Sequence, residues 1–376
     1  VNKMKPVIRN ILRSAVYQLK YMDSVPDSAV CNEAVKLAVK KGFGTLRGFV
    51  NGVLRNVARG LDQVEYPAEG IERLSVVYSM PEWILKLWKK TYDLDVIESM
   101  LQAFQEETPV TIRCNLAKTT PENLKESLQK EGVTVTPHPY LSYAFRIQDY
   151  DHLSELESFQ KGAFYVQDIS SMLVGELADP KKGDRVIDVC AAPGGKALHV
   201  AEKLRGTGSV EARDLSLYKV GLITENIERS GLTNIHAVQK DATVCDADVK
   251  DAADLVIADL PCSGLGVLAK KTDLKYKATE QGTKELAGLQ REILKNAASY
   301  VRPGGTLIYS TCTINPAENI ENVHWFLKEF PEFVLDPIAD RLCSTLQDSV
   351  EEAGCLQLLP GIHKSDGFFI ARFGKK

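Results

Sequence analysis

From Gly183 onward, apolar runs and amphipathic runs take turns, and no other feature restricts the fold of this 376-residue chain as strongly. Strand-like stretches at 185–189, 209–213, 235–239, 255–259 and 305–310 alternate with helix-like stretches at 197–204, 218–230 and 283–301. A helix between two buried strands has to cross the sheet, so each strand comes to lie parallel to the one before it. The pattern predicts an α/β, doubly wound, Rossmann-like sheet whose ligands sit at the carboxyl ends of the strands.

The chain before that point has other rhythms. Ile11, Leu12, Ala15, Val16 and Leu19, then Val35, Leu37, Ala38 and Val39, then Phe49, Val50, Val53, Leu54 and Val57 recur at helical spacing. They predict three short helices, the second capped by Asp27 or Ser28 and ended by Gly42 and Gly44. A linker over 60–80 leads to helical patterns at 83–88 and 96–104. Strands at 110–115, 133–136 and 144–147 around a helix at 121–130 then form a small α+β unit that could be ferredoxin-like. Three domains follow from this reading: 1–65, all helical; 66–165, small α+β; and 166–376, the doubly wound sheet.

Composition narrows the function. No run reaches the roughly 18 to 20 apolar residues of a membrane span, and eight cysteines without paired spacing indicate neither a zinc site nor a disulfide framework. A cytoplasmic protein with reduced thiols, no metal and no membrane partner is expected. The net charge of -4 conceals an asymmetry: residues 1–65 carry eleven bases against five acids, or +6, which leaves -10 for the remainder. Such a basic surplus can attract a phosphate backbone.

The residues with chemistry fall at the predicted strand ends. Cys190-Ala191-Ala192-Pro193-Gly194-Gly195-Lys196 closes the first strand and opens a helix, where small residues would let a ligand approach the backbone. It lacks the three spaced glycines of a dinucleotide fingerprint. Asp214 ends the second strand, where a carboxylate can take both hydroxyls of a ribose, and Asp241 follows the third, within reach of an adenine amine. Asp259-Leu260-Pro261-Cys262-Ser263-Gly264 ends the fourth and Ser310-Thr311-Cys312-Thr313 the fifth, so two cysteines are expected at the same edge.

Taken together, these motifs resemble the Nol1/Nop2/Sun family of RNA cytosine-5 methyltransferases. Gly304-Gly305-Thr306-Leu307, Asn315-Pro316-Ala317-Glu318-Asn319 and Asp366-Gly367-Phe368-Phe369 match in the same order over about the last two hundred residues. Asn32-Glu33-Ala34-Val35 and Phe49-Val50-Asn51-Gly52-Val53-Leu54-Arg55 resemble the NusB-like extension of the RsmB/Sun branch, which acts on 16S ribosomal RNA; the first half of that extension is not found. Leu260, Ala269 and Thr272 depart from the residues common in the family, while Lys270, Lys271 and Lys275 keep positive charge in a loop that resembles a substrate-contacting segment.

The resemblance implies a class I methyltransferase domain using S-adenosyl-L-methionine, with Cys190 to Lys196, Asp214, Asp241 and Asp259 around the cofactor. It assigns Cys312 as the nucleophile toward carbon 6 of cytosine, Cys262 to release of the covalent adduct, and Asp259 to contact with the base. Cys190 is given a packing role. Cys31, Cys114, Cys245, Cys343 and Cys355 are read as structural, and neither His199 nor His324 is given a catalytic role. Tyr140, Tyr143 and Phe145 could stack on bases, with core packing the commoner use of each. The expected partner is 16S ribosomal RNA bound by a monomer, without DNA. Other readings on the same residues are a transfer RNA or a different ribosomal cytosine as substrate, or a NusB-like RNA-binding scaffold without chemistry. A DNA cytosine methyltransferase would give no role to Cys312.

Overall fold

A computed structural model describes residues 3–376. The chain divides into two compact units, 1–69 and 70–376.

The first unit holds α1 (Pro6–Tyr21), α2 (Asp27–Lys40) and α3 (Arg47–Gly60). Ile8, Ile11, Leu12 and Ala15 of α1 meet Val30, Cys31, Ala34 and Ala38 of α2 and Val50 and Leu54 of α3. Recurrence every three or four residues places each set on one helical face, and burying those faces together holds short helices that would not persist alone. The start of α2 differs from expectation: Asp27 is its first residue, Pro26 occupies the cap position, and no side chain caps the end. The proline ring sets the entry geometry that a capping side chain was expected to supply.

In the second unit the expected linker over 60–80 contains α4 (Gly70–Val77), followed by α5 (Glu82–Trp88) and α6 (Leu94–Ala103). Leu74, Tyr78, Trp88 and Met100 share one core there. Pro67 and Gly70 mark a break in the chain, but the buried Leu74 draws the following eight residues into a helix. The small domain runs β1 (Val110–Cys114), α7 (Pro121–Lys130), β2 (Thr134–Pro137), β3 (Ala144–Gln148), α8 (Glu157–Gln160) and β4 (Phe164–Val166). Its antiparallel sheet has the order β2-β3-β1-β4, the ferredoxin-like arrangement. β4 was not expected; at three residues it is too short for periodicity to reveal.

After α9 (Ile169–Ala178) come β5 (Arg185–Asp188), α10 (Gly195–Lys203), β6 (Ser209–Asp214), α11 (Leu217–Ser230), β7 (Ile235–Gln239), β8 (Ala253–Asp259), α12 (Leu274–Lys277), α13 (Glu280–Tyr300) and β9 (Val301–Thr311). The chain continues through α14 (Ile320–Glu329), β10 (Phe333–Leu335), α15 (Ser344–Gln347), β11 (Val350–Glu352), β12 (Cys355–Leu358) and β13 (Phe368–Lys375). The sheet order is β11-β12-β13-β9-β8-β5-β6-β7, with β10 also pairing β13. Strands β5 to β9 are parallel to one another. Beyond β9 the sheet turns antiparallel, since β13 runs against both β9 and β12. The alternation in the sequence stops at β9, so this extension was not anticipated. Two apolar layers enclose the sheet, one around Val186, Ile257 and Ile308 and the other around Ile187, Val256 and Tyr309. Among the described residues, no helix is long and apolar enough to cross a membrane.

Candidate active site

A cavity of about 330 Å³ opens at the carboxyl ends of the parallel strands, with Cys190, Asp214, Asp241, Asp259, Cys262 and Cys312 all on its wall. Each residue arrives there because a strand ends at it or within three residues of it, and a parallel sheet brings all such ends to one edge.

At the β5–β6–β7 end, Asp214 is buried. Its carboxylate accepts from the backbone N–H groups of Leu215 (2.8 Å) and Ala192 (3.3 Å), and Lys219 pairs with it at 3.3 Å. Asp241 is exposed and accepts, through Oδ1, from the N–H and hydroxyl of Thr243; those bonds hold its carboxyl below the usual range. The expected cofactor loop contributes to the wall only through Cys190 and Ala192, after Val189. Ala191 and Gly194 are buried, and Pro193 is exposed with its carbonyl accepting from Asn226 Nδ2 at 3.0 Å. Gly194 takes a φ of +106° to start α10, while a side chain on Gly195 would touch Gln167.

At the β8–β9 end, Cys262 and Cys312 place their sulfurs 3.3 Å apart. Lys196 Nζ donates to Asp259 Oδ2 at 2.7 Å, and Ser310 Oγ donates to Asp259 Oδ1 at 2.8 Å. Lys196 thus reaches past the cofactor loop into the reactive cluster. Its role there was not legible, because only the fold sets the direction of the side chain. Burial disfavours the ammonium, but Asp259 outweighs burial and holds the Lys196 pKa above the ordinary value.

The two thiols are unequal. The hydrogen bond from Cys262 is the main cause that lowers the Cys312 pKa, and it outweighs burial; Lys196 and Lys271 add to the lowering. Cys262 is raised for the complementary reason, that it holds the shared proton, and by burial and the charges of Cys312 and Glu318. Of the two thiols Cys312 is thus the one shifted toward its thiolate, against the opposing charge of Asp259. Burial, reinforced by Asp188, Asp214 and Asp259, pushes the Cys190 thiol well up, and with it Cys190 stays protonated. Burial also lifts Asp188 to about 7, helped by Asp259.

Glu318 underlies this end and was noticed in the sequence only as part of a motif. It is fully buried and accepts from Ser263 N (2.8 Å), Ser263 Oγ (2.6 Å), Asn315 Nδ2 (2.9 Å) and Gln290 Nε2 (3.1 Å). Gln290 also donates to the carbonyl of Pro261 at 2.8 Å, and Asn319 ties Thr311 to Thr313 on either side of Cys312. Both cysteine-bearing loops are thereby fastened to one carboxylate. Lys270, expected to offer its charge to substrate, is held by Asp366 (2.6 Å) and Asp168 (3.1 Å). Phe145 is buried, and Tyr143 donates to Glu176. His199 is buried beside Tyr143, and His324 pairs with Glu352. Among the described residues, no group of three or more His, Cys, Asp or Glu side chains could hold a metal ion.

Comparison with known proteins agrees with this construction. Residues 176–374 match the family model described as 16S rRNA methyltransferase RsmB/F, residues 1–59 match the NusB family, and residues 80–151 match the ferredoxin-like domain of RsmF/B-like methyltransferases. The probable ribosomal RNA small subunit methyltransferase B of Bacillus subtilis is 37% identical over 377 residues, covering 100% of this chain and 84% of the relative. Ribosomal RNA small subunit methyltransferase F of Klebsiella pneumoniae is 34% identical over 285 residues, covering 74% of this chain and 60% of its own. Among solved structures, NSun6 from Pyrococcus horikoshii with SFG is 25% identical with a TM-score of 0.67, covering 82% of this chain and 98% of that one. PH0851 is 28% identical with a TM-score of 0.82, covering 99% and 83%. On its sequence and on the fold that carries its strand-end residues, the chain belongs to the RsmB/F family of 16S rRNA methyltransferases.

Proposed function

We propose that the chain methylates carbon 5 of a cytosine in 16S ribosomal RNA through a covalent adduct on Cys312. The observation that carries this reading is the convergence of two cysteine sulfurs, 3.3 Å apart, beside the Lys196–Asp259 pair. A methyl transfer to a heteroatom needs no such pair of thiols. Carbon 5 of cytosine is a poor nucleophile until a thiolate has added at carbon 6.

The methyl donor is S-adenosyl-L-methionine, which supplies an electrophilic methyl on sulfur when bound. The cavity suits it on the chemistry of its donors. Asp214 and Asp241 present carboxylates at one end, suited to a ribose diol and an adenine amine, and the reactive cysteines stand at the other.

Cys312 contributes the thiolate. Its lone pair forms the bond to carbon 6, and the electrons of the carbon 5–carbon 6 double bond move into the ring, making carbon 5 nucleophilic. Asp259 accepts from the exocyclic amine and, carrying a proton, donates to nitrogen 3, where negative charge develops on attack; the Lys196 ammonium beside it adds positive charge. Once carbon 5 carries its methyl group, its proton passes to a water base, the C–H electrons restore the carbon 5–carbon 6 double bond, and the Cys312 thiolate leaves. Cys262, which holds the proton shared with Cys312, is placed to assist that release. The target base has to leave its stack to present its face, so a single-stranded or flipped cytosine is required. The basic surplus of residues 1–65 supplies sequence-independent attraction for the RNA backbone.

The test incubates cysteine variants with labelled 16S RNA and cofactor. Cys312→Ser should lose methyl transfer and form no adduct. Cys262→Ser should methylate but stall, giving RNA joined to Cys312 as a slow band on a denaturing gel, and the double variant should lose that band. Mass spectrometry of the joined peptide decides the assignment. An adduct on Cys262 would reverse the two roles, and full turnover by both single variants would remove cysteine catalysis.

A further inference from the structure

Gly195, His199 and Glu202 stand four and three residues apart on α10 and therefore share one helical face. That face is gripped by the small domain. Arg113 of β1 is fully buried, lies 4.3 Å over the ring of Tyr165, and donates through Nε to Gln167 Oε1 (2.7 Å) and through Nη1 to Glu202 Oε1 (3.1 Å). Gln167, just past β4, lies in van der Waals range of the position a side chain on Gly195 would take. Tyr143 meets His199 at 3.2 Å, and the other side of that ring packs on Gly175 of α9, where a Cβ would fall 2.3 Å from Nδ1. Burial, then Arg113 and Lys203, keeps His199 neutral, so this contact adds no charge.

The arrangement is poorly suited to stability alone. Arg113 Nη2 and Gln167 Nε2 have no hydrogen-bond partner among the described residues, and a buried ion pair that leaves polar atoms unmatched gives little net stabilisation. What it does provide is geometry. One guanidinium spans two turns of α10, touching Glu202 directly and Gly195 through Gln167, and the next residue after Gly195 is Lys196, which reaches Asp259.

We propose that Arg113 and Gln167 are positioning residues through which the small domain sets the first turn of α10, and with it the cofactor loop and Lys196. The inference rests on the cofactor cavity and is independent of which base is methylated. Arg113 acts by way of Gln167, so the two belong to one chain of contacts. Loss of either should then cost about the same, and loss of both no more.

The experiment measures S-adenosylmethionine binding to the full chain by calorimetry, alongside thermal unfolding. Gln167→Leu and the charge-balanced pair Arg113→Met with Glu202→Leu should each weaken binding about tenfold, the worth of one hydrogen bond to a charged group. The triple variant should be no weaker than either, and Gln167→Glu, which can still accept from Arg113, should stay within about twofold of the native protein. Unchanged affinity in the folded Gln167→Leu protein would overturn the proposal, as would multiplying losses in the triple variant. If the Arg113→Met and Glu202→Leu protein does not fold, Gln167→Leu against Gln167→Glu decides alone. Identification of the methylated nucleoside in the product separates failure here from failure of the cytosine-5 reading.

Discussion

At one end of the cavity Asp241 is held by the loop that directly follows its strand and is open to solvent, while Asp214 is held by Leu215, by Ala192 of the neighbouring loop and by Lys219. At the other end Cys262 and Cys312 rest on Glu318, Gln290, Asn315 and Asn319, all almost wholly buried and drawn from α13 and the segment after β9. The difference follows the work done at each end. A cofactor must enter and leave, and one of the two carboxylates proposed to meet it stands open to solvent. Two thiols that share one proton must keep their separation, and a carboxylate with four donors fixes the loops that carry them.

Breaking the buried end should have the largest effect. Glu318→Ala strands the Ser263, Asn315 and Gln290 donors, each costing about 1 to 3 kcal/mol when buried without a partner. A loss of roughly 3 kcal/mol or more in urea unfolding is expected, together with a fall of at least about a hundredfold in single-turnover methyl transfer. A variant as stable as the native protein would mean that the loops are fixed by packing instead.

Asp214→Ala acts at the other end, where it leaves two backbone donors unpaired against four for Glu318, so it should cost less stability than Glu318→Ala while weakening cofactor binding about ten- to hundredfold, as expected for lost hydrogen bonds to a charged acceptor. Calorimetry on the folded variant checks it. Unaltered binding would erase the functional contrast between the ends.

A pH experiment sharpens the inequality of the thiols. The reactive species is the thiolate, and the lowered Cys312 pKa lets reactivity rise with pH from below the ordinary thiol range. Lys196 is one of the charges that lower it, so Lys196→Met should move the rising limb of Cys312 alkylation by iodoacetamide to higher pH. A profile that stays in place would assign the lowering to Cys262 and Lys271. The smallest effect is expected for Asp241→Ala. In an exposed position its contribution is screened by water, and affinity should drop only about threefold to tenfold. A loss as large as that of Asp214→Ala would make Asp241 the main anchor.

Much of this was legible before any coordinates. The alternation after Gly183 marked the parallel strands, and their ends delivered Asp214, Asp241, Asp259, Cys262 and Cys312 to one edge, because in such a sheet position along the chain translates directly into position in space. Residues whose contribution depends on side-chain reach or distant partners were hidden. Lys196 reads as part of a glycine turn, Lys270 as a free cation, and Arg113 as one base in a short strand, although their partners Asp259, Asp366 and Glu202 lie far along the chain. The antiparallel extension escaped for a related reason: β10 to β12 are three or four residues long, too few for a period to repeat.

The seating of β13 between β9 and β12 has a consequence for biosynthesis. Just before that strand, Gly367 N donates to Gly266 O at 2.8 Å, and Gly266 N donates to Cys312 O at 3.1 Å; a Cβ on Gly266 would fall 2.0 Å from Gly367 O. Surroundings of the nucleophile therefore include a segment translated well after it, whereas the strands that end at Asp188, Asp214 and Gln239 are neighbours in sequence and pair among themselves. Pairings of short sequence separation close soonest. A nascent chain can thus pair β5, β6 and β7 while Cys312 still lacks a neighbour that only the last strand brings.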